Sequence, residues 1–339
     1  MQISCHQNPP EISGGGDAPP AKSTGASGAT AAQTRLFLGA ALALAPSLAL
    51  ACACGCGIYE VGTSSTLPTG MGAETYIDYD YQDQTTDWSG SSEAPGADNP
   101  DKNIRTSFLT FGYEQMYTNS WGLRLELPYE VRHFVTTGGA TGTDIVTVNF
   151  SGIGDVRIEG MYTGFSPDMS QGLMFGLKLP TGSYTAEDAW DDVDRDSEIG
   201  TGSTDLLFGG FDRFGLGDSG WQGLVQGMLD VPVLSQVQYR PGTELDLSLG
   251  AYYTGFRIGR LAVVPIGQLK VSLRTRDTGA NAADPVASGF ARLFAAPGLE
   301  FDLRPFKVYA DVELPLYVHV RGDQLVARNL FRLNLSYDF

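Results

Sequence analysis

Three cysteines fall at alternate positions in Cys52-Ala53-Cys54-Gly55-Cys56-Gly57, and none follows them. In an extended backbone all three thiols project from one side. Soft thiolates in that arrangement suit a metal such as Cu(I). The spacing is not the C-x2-C of a zinc site. Lipidation of Cys52 and disulfides to a partner are the alternative readings. With no later cysteine, a disulfide framework is excluded for the bulk of the chain. A second cluster is acidic: Asp188, Asp191, Asp192, Asp194, Asp196 and Glu198 crowd one segment. Asp192, Asp194, Asp196 and Glu198 alternate, which offers oxygen ligands to Ca2+. The turn glycine and the distant glutamate of an EF-hand are missing. A solvated acidic loop, bridged by divalent ions to lipopolysaccharide, is the plainer reading.

A third set is spread along the chain. Arg124, Glu126, Glu130, Arg132, Arg157, Glu159, Lys178, Asp230, Lys270, Arg274 and Glu313 each sit in an alternating polar and apolar stretch. Four charges between Trp121 and Arg132 do not fit a dry core unless paired, but cost little facing a watery lumen. They are pore-lining candidates. Rings of one sign would select ions. The mixture of signs favours cross-strand pairs that stiffen and narrow an interior, and argues against a basic bore for anions. Catalysis has little to build on. Beyond residue 51 the histidines are His133 and His319, and no G-x-S-x-G or comparable setting accompanies His133. The chain reads as a non-enzyme, and no cofactor is expected.

The elements that must position these residues are strands. In the last segment Phe331, Leu333, Leu335, Tyr337 and Phe339 share one face, and Arg332, Asn334, Ser336 and Asp338 the other. Trp121, Leu123, Leu125, Leu127, Tyr129 and Val131 repeat that pattern against Arg124, Glu126, Glu130 and Arg132. In a membrane barrel the apolar face meets lipid and the polar face meets the lumen, with Trp and Tyr at the interfaces. Past residue 60 no window reaches the roughly 20 apolar residues of a transmembrane helix. Glycine (43) and aromatics (11%) fit an all-β protein with many turns. The net charge of -17 argues against a nucleic-acid partner.

A repeat sets the strand number. Leu125-Glu126-Leu127-Pro128, Leu177-Lys178-Leu179-Pro180, Leu229-Asp230-Val231-Pro232 and Val312-Glu313-Leu314-Pro315 share one pattern. Leu269-Lys270-Val271-Ser272 and Ile77-Asp78-Tyr79-Asp80 are looser copies. The first three prolines are 52 residues apart (180−128 and 232−180). Each repeat makes a hairpin, so six copies imply about twelve antiparallel strands of roughly 10 residues. Ten or fourteen stay open, because Ser203–Gly215 and Ala287–Leu303 alternate poorly. Each proline should mark a ladder irregularity near a rim. Short links are expected at Thr118–Ser120, Ser166–Gln171, Phe214–Gly220 and Arg304–Phe306. Long links are expected at about 83–103, 134–151, 181–202 and 276–287.

Ahead of the strands, Arg35 precedes an apolar run from Leu36 to Ala45, and Leu48-Ala49-Leu50-Ala51 follows. A positive flank, an apolar core and small residues read as a cleaved signal segment, cut after Ala51. The expected organisation is a leader over 1–51, a Cys-rich segment over 52–70 and a barrel over 71–339. The polar stretch Gly57–Thr69 is a candidate plug.

The glycine-rich motifs Gly152-Ile153-Gly154-Asp155-Val156, Gly176-Leu177-Lys178-Leu179-Pro180-Thr181-Gly182, Gly200-Thr201-Gly202-Ser203-Thr204-Asp205-Leu206-Leu207 and Tyr239-Arg240-Pro241-Gly242 resemble outer-membrane proteins of the phenol-degradation (MetA-pathway) transporter-like family. The resemblance covers roughly residues 105–339. It implies a β-barrel in the outer membrane of a Gram-negative bacterium, passing small compounds, hydrophobic ones among them, by passive means. The terminal aromatic pattern resembles the signal read by the barrel-assembly machinery, with Phe331, Leu333, Leu335, Tyr337 and Phe339 as its residues. Other expected partners are outer-membrane lipid and lipopolysaccharide, and a solute the sequence does not specify. The alternative function is a structural or partner-binding barrel whose cysteine segment is linked to metal or redox handling.

Overall fold

The computed structural model describes residues 67–339 apart from 97–98, 139–141, 188–192, 219 and 283–285. The signal segment, Cys52, Cys54, Cys56 and Asp192 therefore lie outside the described residues.

Strand-forming alternation produces a sheet that closes on itself. Its members are β1 (Gly72–Ser89), β2 (Asp101–Met116), β3 (Trp121–Gly138), β4a (Asp144–Ile153), β4b (Val156–Tyr162), β5 (Gln171–Leu179), β6 (Ser203–Gly215), β7 (Trp221–Ser235), β8 (Glu244–Tyr253), β9 (Leu261–Arg274), β10 (Phe290–Leu303), β11 (Phe306–Val320) and β12 (Asp323–Asp338). Counting β4a and β4b as one interrupted strand, twelve antiparallel strands form a closed barrel, with β1 paired to β12 and β8 paired to β9. Closure removes the sheet edges that would otherwise expose unpaired backbone groups. At the seam Phe339 N donates to Ala73 O at 2.9 Å and Ala73 N to Phe339 O at 3.1 Å. Ser203–Gly215 and Phe290–Leu303 are each one strand, so the count is neither ten nor fourteen.

One end carries short connections (117–120, 163–170, 216–220, 254–260 and 304–305), and the other mostly longer ones. Two expected long links are shorter than their sequence suggested. β1 runs to Ser89 and β2 begins at Asp101, so 83–103 is largely strand. The segment 134–151 is strand over 134–138 and 144–151. Thr136 and Thr137 carry no apolar alternation, yet backbone pairing with β4a suffices to extend β3. Most strands are longer than the expected ten residues, β1 with 18, while β5 has 9 and β8 has 10.

The prolines of the repeat sit at breaks in the ladder. Pro128 O accepts from Gly154 N at 2.9 Å, where β4a ends. Pro180 follows the last residue of β5. Pro232 opposes Asp205 beside the register shift at Thr204/Asp205, and Pro315 opposes Phe294 beside the shift at Leu293/Phe294. Proline has no N–H to give the ladder, so it survives where the ladder is already interrupted.

The outer face is apolar: Ile77, Phe111, Leu125, Leu127, Leu177, Leu249, Leu269, Leu314, Leu333 and Leu335 are exposed. A continuous apolar wall of this extent marks a lipid-facing surface. Aromatic rings line the short-connection end, with Trp121 against Tyr162 (centroids 4.8 Å), Trp221 against Tyr253 (5.3 Å) and Phe306 against Tyr337 (5.0 Å). Among the described residues no helix is long and apolar enough to cross a membrane.

Candidate functional site: the lumen and its inward-folded loop

The inner face carries the ionisable residues, and most are buried against one another. The repeat explains much of the pairing. Lys178 and Asp230, from two copies, meet at 3.1 Å, and Asp205 closes on the same ammonium. Arg157 Nη2 lies 3.7 Å from Asp230. Lys270 and Glu313, from two further copies, meet at 2.6 Å, and Asp311 lies 3.1 Å from Lys270 Nζ. Tyr309 donates to Asp311 Oδ2 at 2.7 Å and accepts from Gln268 Nε2 at 2.9 Å. Glu126 accepts from the Tyr76 hydroxyl at 2.5 Å. Arg124 lies 2.7 Å from Glu114 and 3.9 Å from Glu159. Arg332 bonds Asp80 at 2.7 Å, and Lys307 contacts Glu74 at 2.8 Å and Asp338 at 3.0 Å. Buried charge is tolerable only when paired in this way, because desolvation otherwise exceeds the Coulombic gain. Glu114, Asp80, Asp311 and Asp205 escaped the list of candidates read from the sequence. Their inward alternation with apolar neighbours was the signal that could have found them.

Near the long-connection end, the described parts of the segment 180–202 (180–187 and 193–202) turn inward instead of continuing the wall. Three glycine-rich motifs meet at its base. Asp155, in the interruption between β4a and β4b, accepts from Gly182 N at 2.9 Å, Thr201 N at 2.9 Å and Thr201 Oγ1 at 2.6 Å. Thr181 Oγ1 donates to Gly154 O at 2.8 Å and accepts from Val156 N at 2.9 Å, so a side chain replaces the lost ladder bonds. The two legs touch so closely that a Cβ on Gly200 would meet Gly182 O at 2.2 Å. Gly202 adopts a φ of 66°, a conformation glycine adopts without strain.

Further along, Arg132 holds the loop from the wall. Its Nη1 donates to Ser197 O at 2.5 Å and Glu198 O at 2.9 Å, while Nη2 bonds Glu130 at 2.9 Å. Val193 is buried with the inward side chains Ile104, Phe134 and Leu325. The loop thus fills part of the lumen beside β1, β2, β3 and β12. Arg195 stacks at 4.0 Å on Tyr184 and at 5.1 Å on Tyr239, which joins this loop to the next. There Tyr239 donates to Asp277 Oδ2 at 2.9 Å, and Asp277 Oδ1 accepts from Gly242 N at 2.7 Å and Arg274 Nη2 at 3.0 Å. Burial, followed by the Asp277 charge, pushes the Tyr239 phenol well above its usual range, so it stays a donor.

Of the acidic cluster, Asp188, Asp191 and Asp192 lie outside the described residues. Glu198 Oε1 accepts from Ala186 N at 2.7 Å, so this carboxylate braces the loop. Among the described residues there is no group of three or more His, Cys, Asp or Glu placed to hold a metal ion.

Beside the loop the wall strand is interrupted between β4a and β4b. β4a pairs with β3 alone, while β5 pairs with β4b and stops at Leu179. Among the described residues no strand pairs with the other edge of β4a. On the outer wall His133 Nδ1 lies 2.7 Å from Asn149 Oδ1, in a cleft of about 340 Å3 with Arg105, Ser107 and Ser151. The two serine hydroxyls pair with Tyr79 and Tyr129. His319 Nδ1 lies 2.8 Å from Ser91 Oγ. At the opposite end of the barrel Leu67 enters the lumen and is buried with Phe211 and Leu224; the rest of the candidate plug before it lies outside the described residues.

No family model matches the chain, and neither does any curated protein. Solved structures do. An autotransporter β domain from Bordetella aligns with 79% of this chain at 13% identity, with a TM-score of 0.49, too low to bear on the fold. An outer-membrane channel from Pseudomonas putida F1 aligns over 83% of this chain and 100% of its own, at 12% identity and a TM-score of 0.59. That likeness is one of fold, and it gives the chain the architecture of an outer-membrane β-barrel.

Proposed function

We propose that the protein is an outer-membrane barrel through which small compounds, hydrophobic ones among them, pass passively. The observation that carries this reading is the loop whose described parts, 180–187 and 193–202, fold into a charged lumen beside a β4a edge that no strand pairs among the described residues. A loop held by Arg132 and Asp155 narrows the route along the axis. The interrupted wall next to it offers a sideways exit toward the outer leaflet, which suits a solute that partitions into lipid. The resemblance to the phenol-degradation transporter-like family and the fold shared with a channel point the same way, as analogy. In this reading the short connections face the periplasm, and the outer aromatic ring contacts lipid at that interface.

The test is conductance in planar bilayers, paired with uptake of a small aromatic solute by proteoliposomes. Wild type and an Asp155→Ala variant, which releases the base of the loop, are compared. A small wild-type conductance and faster flux in the variant are expected. Closed traces and no solute flux for both proteins would overturn the reading.

A further inference from the structure

Seven methionines occur in the chain, and five of them gather in one place. Met116 ends β2, Met161 lies on β4b, Met174 on β5 and Met228 on β7, all facing inward. Met169 comes from a short connection and is nevertheless buried at 2% exposure. Leu207 of β6 completes the cluster. The other apolar clusters of buried residues contain leucine, valine, isoleucine, alanine, phenylalanine or tyrosine but no methionine. Packing alone gives no reason to confine methionine to one end, since leucine has a similar volume and a better-defined shape.

The backbone works to place these groups. Met169 adopts a φ of 54°, a conformation costly for a bulky residue. Arg213 Nη2 holds it by donating to Met169 O at 2.9 Å and to Pro68 O at 2.6 Å. The same guanidinium thus ties the chain that follows the cysteine segment to the methionine cluster. Charge is also to hand. Arg124 Nη1 lies 3.8 Å from Met174 Sδ and 3.9 Å from Glu159 Oε2. Glu159 Oε2 is buried and accepts no hydrogen bond among the described residues. Glu114 and Glu159 both lie against Arg124 at the edge of the thioethers.

We propose that Met116, Met161, Met169, Met174 and Met228 form a thioether site for a soft monovalent cation, Cu(I) or Ag(I), inside the lumen at the short-connection end. Thioethers are soft, neutral donors that select such ions over Zn2+, Mg2+ or Ca2+. The neighbouring carboxylates supply the counter-charge that a cation in a buried site needs. The site stands on barrel residues alone. It is independent of whether the lumen conducts, and of whether the N-terminal thiols bind metal.

The experiment uses the full chain in detergent, with Ag(I) as a probe that does not change oxidation state. Cys52, Cys54 and Cys56 are first changed to Ser so that thiols do not contribute. This parent is expected to bind about one Ag(I), and Met161→Leu with Met174→Leu to weaken binding at least tenfold, while Zn2+ binds neither. Equal Ag(I) binding by the parent and the Met→Leu protein, or none by the parent, overturns the proposal. Should the double variant not fold, methyl-labelled methionine in the folded parent gives a second reading. Ag(I) should shift the resonances of the five clustered methyl groups and leave that of Met71 in place. Unmoved resonances overturn the site.

Discussion

Replacing Lys270 by Met asks whether the middle of the lumen is dry. The Lys270 ammonium lies 3.1 Å from Asp311 and 2.6 Å from Glu313, and the side chains of Lys270 and Asp311 are fully buried. At an effective dielectric of about 20, unit charges at these distances attract by about 5 and about 6 kcal/mol before desolvation is counted. Desolvation offsets much of this, and removing one partner of a buried ion pair leaves a net cost of about 3–5 kcal/mol. Lys270→Met preserves the stem and deletes the charge, leaving Asp311 and Glu313 to repel one another. Denaturant unfolding of the refolded barrel, followed by tryptophan fluorescence, measures the loss. Adding Asp311→Asn and Glu313→Gln to the same protein should recover most of it, because the stranded charges disappear. A loss below about 1 kcal/mol, the range of a solvent-exposed pair, would refute the reasoning. It would mean that water reaches these carboxylates and that the lumen is open at this level.

Asp155→Ala strands three donors, at about 1–3 kcal/mol for each that stays buried. Limited proteolysis should then cut within 183–199 far faster than in wild type, and an unchanged rate would argue that Arg132 alone holds the loop. Gly200→Val places a Cβ 2.2 Å from Gly182 O and should release the same loop, read as increased conductance with the barrel still folded by circular dichroism. Deleting Phe339 removes the two backbone bonds to Ala73 and the ring beside Tyr337 at 5.9 Å. The yield of heat-modifiable barrel in the outer-membrane fraction should fall several-fold, and an unchanged yield would count against an assembly role for the terminal aromatic.

The inside-outside order was legible in the chain because a strand has a period of two. Phe331 to Phe339 could only place aromatics on one side and Arg332, Asn334, Ser336 and Asp338 on the other. The repeat likewise carried an approximate strand number, since each of its six copies makes one hairpin. Where polar residues ran on without alternation, as in Thr136-Thr137, the same rule had nothing to read. β3 continues there through backbone bonds that are indifferent to side-chain type. Periodicity also showed that Lys178, Asp230, Lys270 and Glu313 face inward.

Which of those charges meet was decided only by closure. Register brings Lys178 opposite Asp205, and the barrel's curvature brings it to Asp230, 52 residues away. The inward fold of 180–202 and the gathering of five methionines from separate connections and strands have the same origin. Alternation is a local property of each strand, whereas the contacts across a lumen depend on shear, register and where the wall is broken. From the amino-acid order alone came the barrel, its two faces and a count of about twelve strands; the final count and the filling of its interior came from the tertiary structure, because side chains distant in the chain compete there for the same enclosed space.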